Sequence, residues 1–385
     1  MVKLQNSIRE NNVLLVLSEI INNPGLSRAR IAENIGLNKA TISEIVKRLM
    51  HDHYVIETGI GESSSAGGRK PILLEVNKQA GVSISFDIRY DQISYMINSL
   101  DGEIIHKESQ NIELNKNNIC SIISKIVKDY EKGMENTPFG ITGIAIAIHG
   151  IVHNNKITFT PYYDLDQIDL ASVLEQELSI PVYIENEANL SALAESTFDS
   201  DYSNLISVSI HTGIGAGVII DSELYRGFEG RSGEIGHTTL YPNGIECPCG
   251  NSGCFEQYCS HKALMKNYRT IKSDKSLEVS DLIEGYYLND IETVNLLKEF
   301  AANLGIGLSN IMGTFCPQVL FINSEILFEI PELFNTIKLQ VEKTVSKNIP
   351  MRLSALGENA SLYGGSILAI QNFLQVDSLD FSFLK

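Results

Sequence analysis

Three things are scarce in this chain, and each scarcity closes off a class of function. Cysteine numbers six in 385 residues, too few for the disulfide framework of a small secreted domain. Apolar residues never run long. The stretch 141–148 is among the longest, and about 20 residues are needed to span a bilayer. The N-terminus has no long apolar core of a signal peptide, so the expectation is a soluble, cytoplasmic protein with no membrane partner. Basic charge is short overall: 30 Lys and Arg face 47 Asp and Glu, a net of −17. That total argues against a surface built wholly for nucleic acid. The deficit is uneven, however. Residues 1–78 carry ten basic and eight acidic side chains, while 79–385 carry twenty and thirty-nine. A small near-neutral module is joined to a large acidic body.

Against this background one stretch stands out. Glu234-Ile-Gly-His237 is followed by Cys247-Pro-Cys249-Gly-Asn-Ser-Gly-Cys254-Phe-Glu256. His237, Cys247, Cys249 and Cys254 fall in the spacing His-x9-Cys-x-Cys-x4-Cys. Zinc takes four such ligands in a closed tetrahedron when its role is structural, and a full protein set leaves no open position for catalysis. Gly250 and Gly253 let the loop curl around one ion. Glu234 and Glu256 flank the ligands, so a structural zinc here would also fix two carboxylates.

From the start of the chain, residues 7–22 keep helical apolar spacing and stop at Asn23-Pro24-Gly25. Ser27 caps a short second helix, with Arg30 three residues on. After Gly36, Asn38 caps a third, whose stripe is Ile42, Ile45, Val46 and Leu49. Helix, short helix, turn and helix form a helix-turn-helix pattern. Two strand-like runs follow, separated by a Gly/Ser-rich tip at 60–68, which makes the module a winged helix. Its third helix would enter the major groove. Ser27, Arg28, Asn38, Lys39, Thr41, Ser43, Lys47 and Arg48 are the candidate DNA-contacting residues there. Arg69 and Lys70 would hold phosphate from the wing.

From about residue 79 the pattern becomes mixed α/β. Strands are expected at 82–88, 92–99 and 104–109, then a helix over 118–131, a buried strand at 141–148, a helix over 170–178 and a short strand at 181–185. The series then repeats: helix from 187, strand at 205–210, a tight Gly-rich turn at 212–217, and another strand. Two similar halves predict a duplicated two-lobed body.

Residues 79–385 resemble the repressor–ORF–kinase (ROK) family. The motifs that carry the resemblance are Glu185-Asn-Glu-Ala-Asn189, Thr212-Gly-Ile-Gly-Ala-Gly217, Gly233-Glu-Ile-Gly-His237 and the Cys247–Glu256 run. With the winged helix, the likeness covers nearly the whole chain. Gly36-Leu-Asn-Lys-Ala-Thr-Ile-Ser43 and Ser65-Ala-Gly-Gly-Arg-Lys-Pro71 look most like the xylose repressors of Gram-positive bacteria. The resemblance implies an actin-like, sugar-kinase body in two lobes after the head: 1–78 as DNA-binding domain, 79–195 as lobe 1 completed by a C-terminal helix at about 366–385, and 196–365 as lobe 2 with the zinc loop. It implies a sugar, D-xylose first, held in the interlobe cleft by Asn186, Glu187, Glu234, His237 and Glu256. Sugar would release a homodimer from a palindromic operator.

The family also contains kinases, and here the sequence departs from them. Kinases carry Asn-Asp where this chain has Asn186-Glu187. Their phosphate turn Asp-x-Gly-Gly-Thr corresponds to Asp87-Ile-Arg-Tyr-Asp91, which has no glycine to let backbone N–H groups approach a phosphate. No enzyme activity is therefore expected. His149 stands where relatives often have Pro, His211 where they have Ser, and 160–166 lacks the usual Asn and Trp, tryptophan being absent from the whole chain. These positions border the expected pocket and bear on which sugar it takes.

Overall fold

The computed structural model describes residues 2–61, 70–134, 137–161, 164–344 and 346–384. Arg69 and most of the wing tip lie outside the described residues, as do Tyr162 and Tyr163.

The head begins with helix α1 (Val2–Asn22), then the two-residue strand β1 (Leu26–Ser27), α2 (Arg28–Ile35) and α3 (Lys39–His51), and ends in β2 (Val55–Ile60) and β3 (Ile72–Val76). Local sequence explains each boundary. The Ser27 hydroxyl accepts from the Arg30 amide at 3.3 Å and starts α2. Gly36 ends it at φ 77°, in the left-handed region. Asn38 Oδ1 accepts from the Thr41 amide at 2.8 Å and starts α3. Ile31, Ile42, Val46, Leu49, Val16 and Ile20 are fully or almost fully buried, so the three helices close over one small core. The wing strands β2 and β3 are antiparallel, and β3 also pairs with β1.

The body contains two five-stranded sheets with matching logic. The first is built from β4 (Gly81–Ile88), β5 (Gln92–Ser99), β6 (Ile104–Asn111), β7 (Gly140–Ile148) and β10 (Val182–Asn186), in the order β10-β7-β4-β5-β6. A hairpin, β8 (Ile151–His153) and β9 (Lys156–Phe159), follows β7. Helices α4 (Ile119–Glu131) and α5 (Leu170–Leu178) place Ile119, Ile123, Val127, Leu170 and Leu174 against this sheet in one core. After α6 (Glu187–Phe198), the second sheet uses β11 (Leu205–Ile210), β12 (Ile214–Ile220), β13 (Glu223–Leu224), β14 (Val319–Asn323) and β15 (Met351–Leu353), in the order β13-β12-β11-β14-β15. In each sheet an antiparallel meander is followed by a parallel partner, β4 to β7 in one and β11 to β14 in the other.

The second core gathers α8 (His261–Lys272), α9 (Val279–Tyr287), α10 (Ile291–Phe315), α11 (Glu325–Glu329) and α12 (Pro331–Val341), with the short α7 (Glu256–Cys259) before them. The last helix, α13, runs Ala360–Leu374. It stops because Gln375 turns left-handed at φ 54°, so residues beyond it leave as an irregular segment rather than a helix reaching 385. No helix among the described residues is long and apolar enough to cross a membrane. By contact density the chain forms two compact units. One holds Met1–Glu185, Thr197–Ser200 and Leu362–Lys385; the other holds Asn186–Ser196 and Asp201–Ser361.

One expectation is corrected. The Gly-rich stretch 212–217 is not one long turn: β12 starts at Ile214 and only the residues just before it turn. The glycines serve packing. A Cβ on Gly217 would lie 2.2 Å from the Ala188 carbonyl oxygen and 2.5 Å from the Ala192 Cβ. Helix α6 thus rests directly on the backbone of β12, and only a strand without side chains at that point admits it. Gly217→Ala is expected to destabilise the fold by roughly 1–3 kcal/mol through overpacking, read as a lowered thermal midpoint.

Candidate functional site

The metal-ligand residues converge as their spacing implies. One ligand atom each from His237, Cys247, Cys249 and Cys254 lies within 4.8 Å of all the others. Cys247 Sγ is 3.6 Å from His237 Nδ1, and Cys249 Sγ is 3.6 Å from Cys254 Sγ. A tetrahedron with metal–sulfur bonds of about 2.3 Å and metal–nitrogen bonds of about 2.0–2.1 Å has edges of roughly 3.5–3.8 Å. The four side chains therefore fit a metal ion in donor type and in separation.

Backbone geometry explains how so short a loop achieves this. Gly250 and Gly253 adopt φ 92° and 83°. A Cβ on Gly253 would sit 1.6 Å from the Tyr241 carbonyl oxygen, so the chain can pass there only as glycine. The Cys247 amide donates to the Asn251 carbonyl at 2.8 Å, which turns Cys249 back toward Cys254. Burial pushes the Cys247 thiol up to about 12, so binding a metal there must displace a proton. Two residues not singled out from sequence serve the loop. Gln257 Nε2 donates to Cys247 Sγ at 3.5 Å and to Glu256 Oε1 at 3.2 Å. Asn251 Nδ2 donates to Cys254 Sγ at 3.5 Å. No spacing rule marks a lone amide of this kind.

The same loop fixes polar side chains around the sulfurs, Glu256 Oε1 accepting from Cys247 Sγ at 3.4 Å. His237 presents Nδ1 to the cysteines, which leaves Nε2 on the Glu234 side, 3.8 Å from Glu234 Oε2. An imidazole that gives Nδ1 to a metal keeps its proton on Nε2 and becomes a fixed hydrogen-bond donor. Burial raises the Glu234 carboxyl above the usual carboxylate range, with His237 pulling the other way. Glu256 Oε1 lies 3.7 Å from His237 Nδ1. Its other oxygen would be 3.1 Å from a Cβ on Gly213. Glu234, His237 and Glu256 thus form one cluster beside the turn that joins β11 to β12.

Glu187 reaches the same turn from α6. It is the first residue of that helix and is buried. Its Oε1 accepts from Ser191 Oγ at 3.0 Å and from Ser209 Oγ, near the end of β11, at 2.9 Å. These two serines were not evident as site residues from the sequence. Asn186 Oδ1 accepts from the Asn189 amide at 3.1 Å and so caps the helix.

At the end of the first sheet, Asp87 is the last residue but one of β4 and His149 follows β7. His149 Nε2 lies 2.8 Å from Asp87 Oδ1, and Arg89 Nε 3.8 Å from the same oxygen. The strand register sets Ile88 beside Ile148, which brings these ends together.

On the head, Lys39, Ser43, Lys47 and Arg48 are exposed along α3. Asn38 and Thr41 are engaged with each other, Thr41 Oγ1 donating to Asn38 Oδ1 at 3.0 Å. Arg28 is held by Glu57 of β2 at 2.8 Å, which ties α2 to the wing. Arg48 Nε is 3.6 Å from Asp52 Oδ2. Lys70 is exposed at the base of β3.

The loop makes a direct prediction. The purified protein is expected to carry one equivalent of tightly held metal by elemental analysis. Cys254→Ser and Gly253→Ala are both expected to lose it, the first by removing a ligand and the second by closing the path of the chain. Full metal occupancy in both variants would contradict the four-ligand site.

Comparison with known proteins agrees with this layout. A model of the ROK family matches residues 83–372, and a model for winged helix-turn-helix DNA-binding domains matches residues 9–56. A xylose repressor from Bacillus spizizenii (strain ATCC 23059 / NRRL B-14472 / W23) is 40% identical over 380 residues, covering 97% of this chain and 98% of the relative. A crystal structure of a ROK family transcriptional regulator described as a homolog of the Escherichia coli Mlc protein superposes with TM-score 0.81 at 23% identity, covering 98% of each chain. A ROK family glucokinase from Streptomyces griseus, in complex with glucose and AMPPNP, gives 0.67 at 24% identity, covering 76% of this chain and all of that one. An N-terminal winged helix-turn-helix followed by a sugar-kinase-like α/β body, matched along its length, makes this chain a member of the ROK family.

Proposed function

We propose that this protein is a sugar-responsive transcriptional repressor, with D-xylose as its leading effector and no kinase activity. One observation carries the reading: the likeness to a xylose repressor runs through head and body alike, over 97% of the chain. The geometry supports the same division of labour. Lys39, Lys47, Arg48 and Lys70, with Arg69 beside it, supply cations for operator phosphates. Ser27, Arg28, Asn38, Thr41 and Ser43 border the edge of α3 that would face bases. For Arg28 this requires release from Glu57, and for Asn38 and Thr41 the opening of a capping pair. The protein acts as a cytoplasmic homodimer whose two heads meet the half-sites of a palindromic operator. The domains are those read from sequence: 1–78, then 79–195 completed by about 366–385, then 196–365.

The sugar is held by Asn186, Glu187, Glu234, His237 and Glu256. Vicinal hydroxyls donate to the carboxylates, and His237 Nε2–H donates back to a sugar oxygen. His237, Cys247, Cys249 and Cys254 hold a structural zinc, whose part is to fix the tautomer and aim of His237 and the position of Glu256. Sugar lowers operator affinity by binding more tightly to the state that fits DNA poorly, with a coupling of roughly 1–3 kcal/mol. A kinase reading has less support. Asp87 is paired with His149 and Arg89 at the place where kinases keep phosphate-binding glycines, and Tyr90 stands half-exposed next to them.

A thermal-shift screen against D-xylose, other pentoses, glucose and ATP–magnesium tests the ligand, since binding only the folded state raises stability. The expected outcome is a rise with D-xylose and none with ATP. No response to any pentose sinks the xylose assignment, and a rise with ATP together with ADP release in a coupled assay revives the kinase. For the head, fluorescence anisotropy with a selected operator duplex is expected to show Lys47→Ala weakening all DNA sequences alike and lowering the salt slope by about one.

A further inference from the structure

We propose that the segment after α13 is a clasp that couples the sugar-contacting helix to the DNA-binding head. The inference rests on the reading above and names the path it requires. The observations are of hydrogen bonds between parts of the chain far apart in sequence.

The C-terminal residue of α1, Asn22, uses its carboxamide as a strand residue uses its backbone. Its Nδ2 donates to the Ser378 carbonyl at 3.4 Å and its Oδ1 accepts from the Asp380 amide at 2.9 Å. The head is therefore tied to the segment through two bonds from one side chain. The next contacts of that segment are with the C-terminal end of α6. Asp380 Oδ2 accepts from Ser200 Oγ at 2.9 Å, and the Phe381 amide donates to the Thr197 carbonyl at 2.9 Å. The Phe381 ring is fully buried and packs edge-on against Phe198, with centroids 6.3 Å apart. Gly102 makes room for it: a Cβ there would lie 2.6 Å from the ring. Asp380 thus lies between Asn22 and Ser200, while Phe381 is bolted into the core.

The other end of α6 is Glu187. A helix is stiff along its axis, and this one is seated on β12 through the gap at Gly217. A change in how Glu187 is held moves Phe198 at the far end of the helix and, through the turn that follows it, Ser200, and the clasp passes that displacement to Asn22. A second attachment sits beside the first. Tyr54, just before the wing, packs on Phe139 at 4.8 Å and on Phe373 of α13 at 5.9 Å between centroids. This apolar contact has no directional bonds and suits a pivot. The polar clasp, which does, fixes the angle of the head about it.

The test uses the full-length protein and two single variants, Asn22→Ala and Ser200→Ala, which cut the clasp on either side of Asp380. Neither residue touches the proposed sugar or DNA surface. Operator affinity is measured by anisotropy with and without saturating D-xylose, and D-xylose affinity by calorimetry. Wild-type protein is expected to lose operator affinity by roughly 5–150-fold with sugar. Both variants are expected to bind sugar and sugar-free operator as the wild type does while that ratio falls toward one. A clasp that served only folding would lower thermal stability and leave the ratio intact. Hydrogen exchange supplies a readout independent of sugar: in Asn22→Ala the Asp380 amide is expected to exchange faster. Unchanged coupling in both variants, beside a responsive wild type, overturns the relay alone. A wild type indifferent to D-xylose overturns the proposed effector and the relay together. An Asp380 amide equally protected in Asn22→Ala overturns the clasp itself.

Discussion

The close approach of α6 to β12 is the constraint on which the rest of the second unit depends. With Gly217 against the Ala188 carbonyl and Gly215 against the Ala188 side chain, the helix cannot rotate or lift off β12 independently of that strand without colliding or leaving a void in a densely packed interior. That seating puts Glu187 beside Ser209 at the end of β11. It also sets the turn before β12, where Gly213 meets Glu256 and a Cβ on Gly236 would lie 2.3 Å from the Ile214 carbonyl oxygen. The carboxylate from α6 and the cluster from the metal loop are thereby referred to the same few backbone atoms. The metal loop can be built with its own internal bonds, but its aim comes from this strand.

Electrostatics separates the parts by role. The body is strongly acidic, and several of its acids are buried, Asp87, Glu185, Glu187 and Glu195 among them. Burying a carboxylate is costly unless hydrogen bonds replace water, so each such acid needs a local solution. Glu187 uses two serine hydroxyls. Asp87 uses a histidine and an arginine. The head, near neutral overall, exposes Lys39 and Lys47 on α3 and Lys70 at the base of β3.

Much of this was legible in sequence, and the limits have physical reasons. The three head helices and their caps follow from Ser27, Gly36 and Asn38, because capping is a local bond. The convergence of His237, Cys247, Cys249 and Cys254 followed from spacing, because the loop that gathers them closes over eighteen residues. The Gly-rich stretch was misread as a turn because glycine is needed both where a chain bends and where two backbones touch, and sequence alone does not say which. The serines around Glu187 were invisible because one of them, Ser209, comes from a strand twenty-two residues away. The bond from Asn22 to Asp380 spans 358 positions. No periodicity encodes it, and Asn22 reads locally as nothing more than the end of a helix.

His149 shows how two departures from a family pattern explain one another. Read singly, a histidine in place of proline after a buried strand and a phosphate turn without glycine are unrelated losses. The parallel register of β4 and β7 puts Asp87 and His149 at neighbouring strand ends, and they meet at 2.8 Å. In an open α/β sheet, the carboxyl ends of parallel strands are where ligands dock, so this is the place where a triphosphate would demand approachable backbone N–H groups. Here the acid that would sit among them is met by side chains of the chain itself. Without glycine at 88–91 the backbone N–H groups cannot come close to a phosphate, and the Asp87 carboxylate meets a histidine and an arginine instead.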